Sequence, residues 1–355
     1  MTEYNIYTSD KKRSEKLNFI KPRYLVPVLL LLAVVGLLIF QGKSSEELHQ
    51  FFLVSMDTSV ELRFTGSSKT AAEIEEKVFS EIERLEKLFS RSVGTSDVNA
   101  INNSAGLEPV PVSEEVFNLT LKAVDFARLS GGAFDPTIAP LIDLWGFFSR
   151  NYRVPAESEL EDCLQVVNYR RIELDETQST VYLPDDKMTL ELGGIAKGFI
   201  VDRALQVLMD AGVKHAFINA GGDIGLLGDK PDGNPWRIGV RHPRKENSIV
   251  AIITASGGAV VTSGDYQRFF EDKGVMYHHI LDPETGMPAS ELASVTIVAG
   301  TVTEADALST AVFVLGPVKG LALIEELPGV EGILITSDLA IMVSTGLDAR
   351  VELHP

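Results

Sequence analysis

The spacing of apolar residues along the chain predicts a mixture of strands and helices. Apolar and polar residues alternate over 52–64, which is typical of a strand with one buried face. Apolar residues at helical spacing then follow Thr70 and Glu73, whose separation is that of a capping box. A second helix is predicted after Ser113, because serine favours the N-cap position.

The second half of the chain continues this mixture. Helical spacing predicts helices at 195–211, 303–314 and 317–326, the last with a proline in its first turn. Short apolar runs predict strands at 215–219, 236–241, 249–254, 294–299, 330–336 and 340–344. Because strands and helices alternate irregularly, with several hairpin-like pairs, we expect an α+β fold rather than a doubly wound sheet. Neither a Gly-x-Gly-x-x-Gly turn after a strand nor a Walker A sequence is present, which disfavours the two commonest nucleotide-binding folds.

The N-terminal region has a pattern of its own. Residues 24–40 are uncharged and almost entirely apolar, and a helix of this length spans about 25 Å, enough for a bilayer core. Basic residues precede the segment, which predicts a cytoplasmic tail at 1–23 and a folded body on the other side. No convincing cleavage site follows, so we expect an uncleaved signal anchor, with a cleaved signal peptide as the alternative. A linker is then predicted at 41–50 and a folded domain at 51–350.

The negative net charge of the chain disfavours some classes of binding partner. The 355-residue chain has a formal net charge of −18. Its basic residues before the apolar segment are Lys11, Lys12, Arg13, Lys16, Lys21 and Arg23. The body is therefore more acidic than the chain as a whole, and we expect no nucleic-acid partner, because such a partner needs a basic surface. The single cysteine, Cys163, can form no disulfide within the chain.

Three segments combine glycines or other small residues with groups able to hold a cation, a phosphate or a proton. They are residues 191–198, 278–286 and 303–310. Asp306 and Thr310 are four residues apart, so on a helix their oxygens lie on one face and suit a hard cation such as Mg²⁺. Glu304 competes for the ligand role within the same segment.

A glycine pair before a lysine suits an anion. Gly193 and Gly194 precede Lys197, so free amides and an ammonium are expected at a helix start. Asp202, farther along this helix, is expected either to hold the lysine or to face solvent. Asp223 follows a strand and a second glycine pair, where a ligand can approach the backbone closely.

Hydroxyl and carboxyl groups recur at three further places. Residues 262–265 offer two hydroxyls and a carboxylate, and Asp135 and Thr137 follow the glycines that end a predicted helix. His279 lies close in sequence to Asp282 and suits a general base near neutral pH. His278 is the alternative base.

In this order and spacing, the segments resemble the ApbE family, the FAD:protein FMN transferases. The resemblance extends from about residue 54 to residue 316. It is carried by 131–137 with 145–146, 192–198 with 202, 219–223, 235–236, 262–265, 279–286 and 306–310. The family's N-terminal Met-Gly-Thr is Met56-Asp57-Thr58 in this chain, so a charged side chain stands where the family carries glycine.

The resemblance implies a compact α+β enzyme with a small lobe that binds Mg²⁺ and takes FAD as its substrate. Such an enzyme moves the FMN half of FAD to a Thr or Ser hydroxyl of an exported or membrane-complex flavoprotein subunit and releases AMP. Together with the predicted anchor, this implies a single-pass protein of a bacterial inner membrane with a periplasmic catalytic domain. An FAD pyrophosphatase that yields FMN and AMP, and a noncatalytic flavin-binding protein, are the alternatives.

The same resemblance assigns roles to individual residues. The Mg²⁺ ligands would be Asp306, Thr310 and the backbone carbonyl of Ala196. His279 would take the proton from the acceptor hydroxyl, with Asp282 as the second choice, and Lys197 would add positive charge. The FAD site would be lined by Met56, Asp135, Thr137, Glu191, Lys197, Asp223, Thr262, Ser263, Asp265 and His279.

Overall fold

A computed structural model describes residues 47–354 of the chain, and the predicted tail, anchor and linker up to residue 46 lie outside them. The described strands are, in chain order, β1 (Glu47–Ser55), β2 (Thr58–Gly66), β3 (Val110–Pro111), β4 (Glu173–Asp175), β5 (Thr180–Tyr182), β6 (Ala216–Ala220), β7 (Asp223–Leu227), β8 (Trp236–Arg241), β9 (Ile249–Ala255), β10 (Gly258–Gly264), β11 (Phe269–Asp272), β12 (Val275–His278), β13 (Leu292–Ala299), β14 (Glu331–Thr336), β15 (Ile341–Val343) and β16 (Val351–Leu353). The described α-helices are α1 (Ala71–Phe89), α2 (Asp97–Asn103), α3 (Glu114–Leu129), α4 (Ala139–Leu144), α5 (Glu157–Leu164), α6 (Gly193–Asp210) and α7 (Val302–Glu326).

An eight-stranded antiparallel sheet forms the centre of the fold, in the order β1-β2-β6-β7-β10-β13-β14-β15. Successive strand residues point to opposite faces, so Val261 belongs to the main core with the helices, and its neighbour Val260 belongs to a second core. The main core includes buried residues of α1, α3, α6 and α7. The second core is closed by the small sheet β16-β9-β8. This combination confirms the predicted α+β class.

A smaller third cluster lies apart from both cores. Its buried members are Leu141, Trp145, Phe147, Leu160, Val167 and Leu281. The two-stranded β11–β12 hairpin packs on it through aromatic rings, with centroids 5.2 Å apart between Trp145 and Tyr277 and 5.8 Å apart between Phe147 and Phe270. These contacts support the segment that leads into His279.

The predicted single strand at 52–64 is wrong, because the chain turns back at its middle. Strands β1 and β2 pair from Glu47 with Gly66 to Ser55 with Thr58, which leaves a two-residue turn at Met56 and Asp57. Both turn residues have positive φ, 54° and 56°. Positive φ at both residues is the geometry of a type I′ turn, which strongly prefers sequences such as Asn-Gly. The strand β1 also begins at Glu47, so residues 47–50, predicted as linker, belong to it.

Helix α1 confirms the predicted apolar stripe but not the predicted cap. The buried stripe consists of Ile74, Val78, Ile82, Leu85 and Phe89. Thr70 makes no side-chain capping bond, because the chain is already turning at this residue and Thr70 Oγ1 donates to the carbonyl of Ser67 instead. Ser113 occupies the N-cap position of α3 as predicted, although its hydroxyl also makes no capping bond.

Helix α7 combines the two helices predicted at 303–314 and 317–326. Its backbone breaks at Gly316, where φ is 76°. Within residues 47–354, it is the one helix long and apolar enough to cross a membrane by composition, yet half of its apolar window is buried inside the protein. We interpret it as the central core helix, since it packs against β10, β13 and α6.

Helices α6 and α7 cross at very short range. A Cβ atom on Gly198 would lie 2.5 Å from the carbonyl oxygen of Val302 and 2.8 Å from Asp306 Cβ, so only glycine fits at this crossing. Near the crossing, Asp202 accepts hydrogen bonds from the N–H groups of Val302 and Thr303 at 2.8 and 2.9 Å. Asp202 therefore neither holds Lys197 nor faces solvent; it satisfies the start of α7.

We expect Asp202→Ala to lower the free energy of unfolding by about 1–3 kcal/mol, because two backbone donors at a helix start lose a charged acceptor. Urea unfolding measures the change. Thr301→Ala is the matched control, since the Thr301 hydroxyl accepts only the N–H of Glu304, at 3.2 Å. A loss no larger for Asp202→Ala than for Thr301→Ala would contradict the assignment.

Candidate functional site

Three charged side chains meet where α6, α7 and β7 converge. Lys197, in the second turn of α6, donates a hydrogen bond to Asp223, the first residue of β7. Its Nζ also lies 3.9 Å from Oδ1 of Asp306 on α7. Both carboxylates are buried. The fold therefore brings together three of the residues singled out by the sequence.

The cluster has one negative charge too many. Burial raises the pKa of Asp223 well above its usual range, and the neighbouring Asp306 charge raises it further, against the opposing effect of Lys197. Burial alone would lower the pKa of Lys197, but the charges of Asp223 and Asp306 outweigh it and the pKa is raised. Lys197 therefore stays protonated, and because the pKa of Asp223 is raised to about 7, this one ammonium does not fully compensate the two buried carboxyl groups. Such a site favours an additional cation.

A tight glycine turn sets the position of Asp223. Ala220 pairs directly with Asp223, and the two glycines between them have φ of 63° and 108°. A Cβ on Gly221 would lie 2.4 Å from Thr58 Oγ1, so the β1–β2 turn packs directly against this glycine turn. The N-terminal hairpin therefore lies beside the charged cluster.

The proposed metal ligands lie at the α6–α7 crossing. Asp306 Oδ2 accepts the N–H of Gly198 at 2.9 Å, whereas Oδ1 has Lys197 as its neighbour at 3.9 Å. A Cβ built on Gly194 would lie 3.8 Å from Thr310 Oγ1, so the start of α6, which includes Ala196, faces the helix face that carries Asp306 and Thr310. The start of α6 therefore lies beside the part of α7 that carries Asp306 and Thr310, and the role of these two residues and the Ala196 carbonyl as metal ligands stays a prediction.

These residues fit a magnesium ion that takes only some of its ligands from the protein and the rest from phosphate oxygens and water. No group of three or more His, Cys, Asp or Glu side chains among residues 47–354 is placed to hold a metal. A site of one carboxylate, one hydroxyl and one backbone carbonyl supplies only oxygen, and Mg²⁺ is usually held by one or two carboxylates together with phosphate oxygens and water. The excess negative charge of the cluster favours the same ion.

His279 is held in one tautomer beside the β11–β12 hairpin. Its Nδ1 lies 3.2 Å from the carbonyl oxygen of Arg268, and its backbone N–H donates to the same oxygen at 3.1 Å. A carbonyl only accepts, so Nδ1 carries the proton and Nε2 keeps its lone pair. Burial lowers the pKa of His279 to about 3, with the charge of Arg268 as the next cause. The imidazole is therefore neutral at physiological pH, with a free lone pair on Nε2.

The two alternative bases are occupied by structural bonds. His278 Nε2 donates to the carbonyl of Ala289 at 2.7 Å, and the N–H of Ile280 donates to its Nδ1 at 3.3 Å. Asp282 accepts the N–H of Glu284 and the hydroxyl of Thr285, which closes the turn after β12. The geometry favours His279 over both.

The two histidines predict acid sensitivity. Burial lowers the pKa of His278 and lowers that of His279 to about 3, whereas an unfolded histidine titrates near 6.5. Below pH 6.5 the unfolded state binds more protons, so stability falls as the pH falls from 6.5 towards 3. We expect urea unfolding to show a loss of about 1 kcal/mol from His279 between pH 7.5 and 5.5, and a further loss of the same sign from His278. The single variants His278→Gln and His279→Gln should each lose less over this interval, and an unchanged loss in both would contradict the assignment.

Strand β10 adds hydroxyl groups close to the cluster. Thr262 Oγ1 lies 2.9 Å from Thr296 Oγ1, and Ser263 Oγ lies 2.7 Å from the hydroxyl of Ser309, which is between Asp306 and Thr310 on α7. Asp265 is farther along and its two oxygens accept hydrogen bonds from Arg244 at 2.7 and 2.6 Å. Asp265 therefore fixes the loop that carries Arg244, and its role as an FAD ligand stays a prediction.

Asp135 and Thr137 brace the loop after α3. Asp135 accepts the N–H and hydroxyl of Thr137 and the N–H of Tyr169, and Thr137 Oγ1 accepts the N–H of Asn168 at 2.8 Å. Neighbouring Phe134 reaches the start of α6, where its ring would lie 3.0 Å from a Cβ on Gly194. These contacts connect the loop to the start of α6, and a direct FAD contact by Asp135 or Thr137 stays a prediction.

Glu191 and Met56 approach the site from two other directions. Glu191 Oε1 accepts the N–H of Gly193 at 2.8 Å, so this amide, predicted to be free for an anion, already has a partner. Glu191 Oε2 lies 2.6 Å from Nε of Arg91, which also makes two bonds to Asp143. Met56 occupies the hairpin turn, where its N–H donates to Glu86 at 2.7 Å.

Several residues of the site carry no local sequence signal. Arg268 holds His279 through its carbonyl, Arg244 pairs with Asp265, and Arg91 pairs with Glu191. Each arginine stands in a stretch with neither periodicity nor a glycine turn to indicate a role. Their function depends on contacts between distant parts of the chain.

Comparisons with known proteins identify the family of the chain. A family model described as the ApbE family matches residues 56–334. The chain is 37% identical over 304 residues to a FAD:protein FMN transferase of Treponema pallidum, with 81% of this chain and 84% of that protein covered. It is 31% identical over 305 residues to a FAD:protein FMN transferase of Vibrio cholerae, with 83% and 90% covered.

Solved structures show the same likeness. The fold is similar to the crystal structure of the ApbE protein from Thermotoga maritima, with a TM-score of 0.81, 36% identity, and 86% of this chain and 99% of that chain covered. It is also similar to the flavin transferase ApbE from Vibrio cholerae, with a TM-score of 0.78, 27% identity, and 86% and 99% covered. Because the family model and these alignments span most of the sequence, the chain belongs to the ApbE family.

Proposed function

We propose that the protein transfers the FMN moiety of FAD to a Thr or Ser hydroxyl of an acceptor protein and releases AMP, in a reaction that requires Mg²⁺. The relatives described above are FAD:protein FMN transferases, which supports a transferase that takes FAD as its substrate. The observation that supports the proposal is the cluster of the half-buried Lys197 with the buried Asp223 and Asp306. The ammonium of Lys197 can bind a phosphate, and the second carboxylate, which the lysine does not neutralise, can bind a cation.

Each group of the cluster has a physical task in this reaction. Asp306, Thr310 and the carbonyl of Ala196 would hold Mg²⁺, which would supply positive charge to neutralise the pyrophosphate and the AMP leaving group. Lys197 provides a fixed positive charge in a buried site, where electrostatic stabilisation of a developing negative charge is stronger than in water. Asp223 holds the ammonium in place.

His279 acts on the acceptor hydroxyl. Its Nε2 lone pair takes the hydroxyl proton while the oxygen forms a bond to the phosphorus of the FMN half. The pyrophosphate P–O bond breaks, and AMP leaves with the bridging oxygen and the electron pair of that bond. The Arg268 carbonyl keeps the imidazole in the required tautomer during this step.

The location of the enzyme is a separate proposal. The apolar segment at 24–40 and the basic residues before it support a single-pass anchor in a bacterial inner membrane, with the described domain in the periplasm. The acceptor would then be an exported or membrane-complex flavoprotein subunit.

The test uses the full-length protein in detergent with FAD, MgCl₂ and an exported flavoprotein subunit from the same source. Intact-mass spectrometry should show the acceptor heavier by one FMN, and the gain should disappear when EDTA replaces MgCl₂. AMP and free FMN without a labelled acceptor would instead indicate an FAD pyrophosphatase. FAD that is bound but unchanged would indicate a noncatalytic flavin-binding protein.

A further inference from the structure

The β1–β2 turn places a carboxylate between two arginines beside the site. Asp57 Oδ2 lies 3.6 Å from Arg268, and its Oδ1 lies 3.8 Å from Arg150. The two arginines come from different segments, one just before β11 and one in the loop after α4. Asp57 thus connects three separate parts of the chain at the side of the site where His279 lies.

The position of this carboxylate is fixed by the turn that carries it. Ser55 Oγ and the N–H of Met56 both donate to Glu86 on α1, and Thr58 packs against Gly221. Asp57 itself has a φ of 56°, which costs free energy for any residue other than glycine, although Asp and Asn bear it better than most. The chain thus carries a charge at a position where the backbone favours glycine.

Arg268 belongs to the candidate active site. Its carbonyl oxygen accepts both the backbone N–H and the Nδ1–H of His279. After burial, the charge of its guanidinium is the largest cause of the lowered pKa of His279. An anionic substrate that reaches His279 therefore comes within electrostatic reach of Arg268.

The two ion pairs are weak enough to be exchanged. The side chains of Asp57, Arg150 and Arg268 are 63%, 75% and 54% exposed, and the separations exceed hydrogen-bond length. Exposed pairs of this kind contribute little to stability and are screened by salt. An incoming anion can take the place of Asp57 at low cost.

We propose that Asp57 is an internal competitor for the pyrophosphate of FAD: it neutralises Arg268 and Arg150 in the free enzyme and so weakens the binding of FAD and speeds its exchange. The proposal rests on the proposed function, since it takes FAD as the substrate of this site. It makes Asp57 a residue that tunes substrate affinity and takes no part in the chemical step.

The test is FAD binding by the full-length protein in EDTA, measured by isothermal titration calorimetry, for wild type and Asp57→Asn. Asparagine keeps the side-chain shape and tolerates the positive φ. We expect Asp57→Asn to bind FAD about three- to tenfold more tightly at low salt, with the gain shrinking as salt is added. Riboflavin, which has no phosphate, should bind equally well to both proteins.

Matched variants separate this effect from a general loss of charge. Asp232→Asn removes a similarly exposed carboxylate, 3.7 Å from Lys230, and should leave FAD binding unchanged. Arg268→Gln in the Asp57→Asn background should abolish most of the gain.

With Mg²⁺ and acceptor present, Asp57→Asn should lower the KM for FAD without raising kcat. Asp57→Gly is a second variant that the turn accepts, and it should tighten binding in the same way.

Two outcomes would overturn the proposal: unchanged or weaker FAD binding by both Asp57 variants, or an equal gain for riboflavin. A wild-type protein that binds no FAD under any condition would instead contradict the proposed function itself. The two failures are therefore distinguishable within one set of titrations.

Discussion

Replacing Lys197 by methionine is expected to remove most of the transferase activity and to destabilise the domain. The substitution leaves Asp223 and Asp306 buried without their shared ammonium, which we expect to lower the free energy of unfolding by about 3 kcal/mol at neutral pH. Loss of the fixed charge beside the pyrophosphate should lower kcat by about a hundredfold or more. Urea unfolding and steady-state assays of acceptor labelling measure the two effects.

A double variant separates the structural effect from the catalytic one. Adding Asp223→Asn to Lys197→Met removes one of the two uncompensated carboxylates, so stability should return towards the wild-type value while activity stays low. The stability deficit of Lys197→Met should also be larger at pH 9 than at pH 7, because the pKa of Asp223 is about 7 with Lys197 present and rises further without it. Activity of Lys197→Met within tenfold of wild type would contradict the role given to the lysine.

Asp306→Asn is expected to remove activity without loss of stability. The amide oxygen can still accept the N–H of Gly198, and the substitution removes one excess charge from a buried cluster, so the free energy of unfolding should stay equal or rise. The same change removes the one carboxylate among the proposed Mg²⁺ ligands, and kcat should fall by about a hundredfold or more. Assays over a range of MgCl₂ should show partial recovery at high concentration.

Glu304→Gln is the matched control for Asp306→Asn. Glu304 lies on the same helix and is the alternative carboxylate ligand by sequence alone. In the structure, Asp306 contacts Lys197 and Gly198. We expect Glu304→Gln to keep wild-type kcat and the wild-type Mg²⁺ requirement. Equal losses for the two variants would show that the wrong carboxylate has been assigned.

Elements with a regular apolar period could be predicted from the sequence. The stripe of α1 and the strand at 236–241 are present in the structure, and α7 runs where two helices were expected around Gly316. The β1–β2 hairpin could not be predicted, because Met56 and Asp57 are unusual turn residues and the apolar alternation continues past them. Periodicity identifies strands but does not show where a strand turns back without glycine or proline.

Some residues of the candidate site could be predicted from local sequence spacing, and others could not. Asp306 and Thr310 share a helix face, and Lys197 follows a glycine pair, so local spacing indicates both. The function of Asp202 depends on a helix start 100 residues farther along, and no local pattern encodes such a contact. The specific reaction rests on family resemblance, because the oxygen and ammonium groups of the cluster would serve other phosphate chemistry equally well.

The ratio of AMP released to acceptor labelled decides whether FMN is transferred to the acceptor protein or released into solution. Full-length protein would be mixed with FAD and MgCl₂ at excess acceptor, with AMP measured by chromatography and the label by intact mass. We expect one AMP for each acceptor that gains one FMN, and neither product in EDTA or with Asp306→Asn. AMP in large excess over labelled acceptor, or labelling that is unaffected by EDTA, would contradict a Mg²⁺-dependent transfer of FMN at this site.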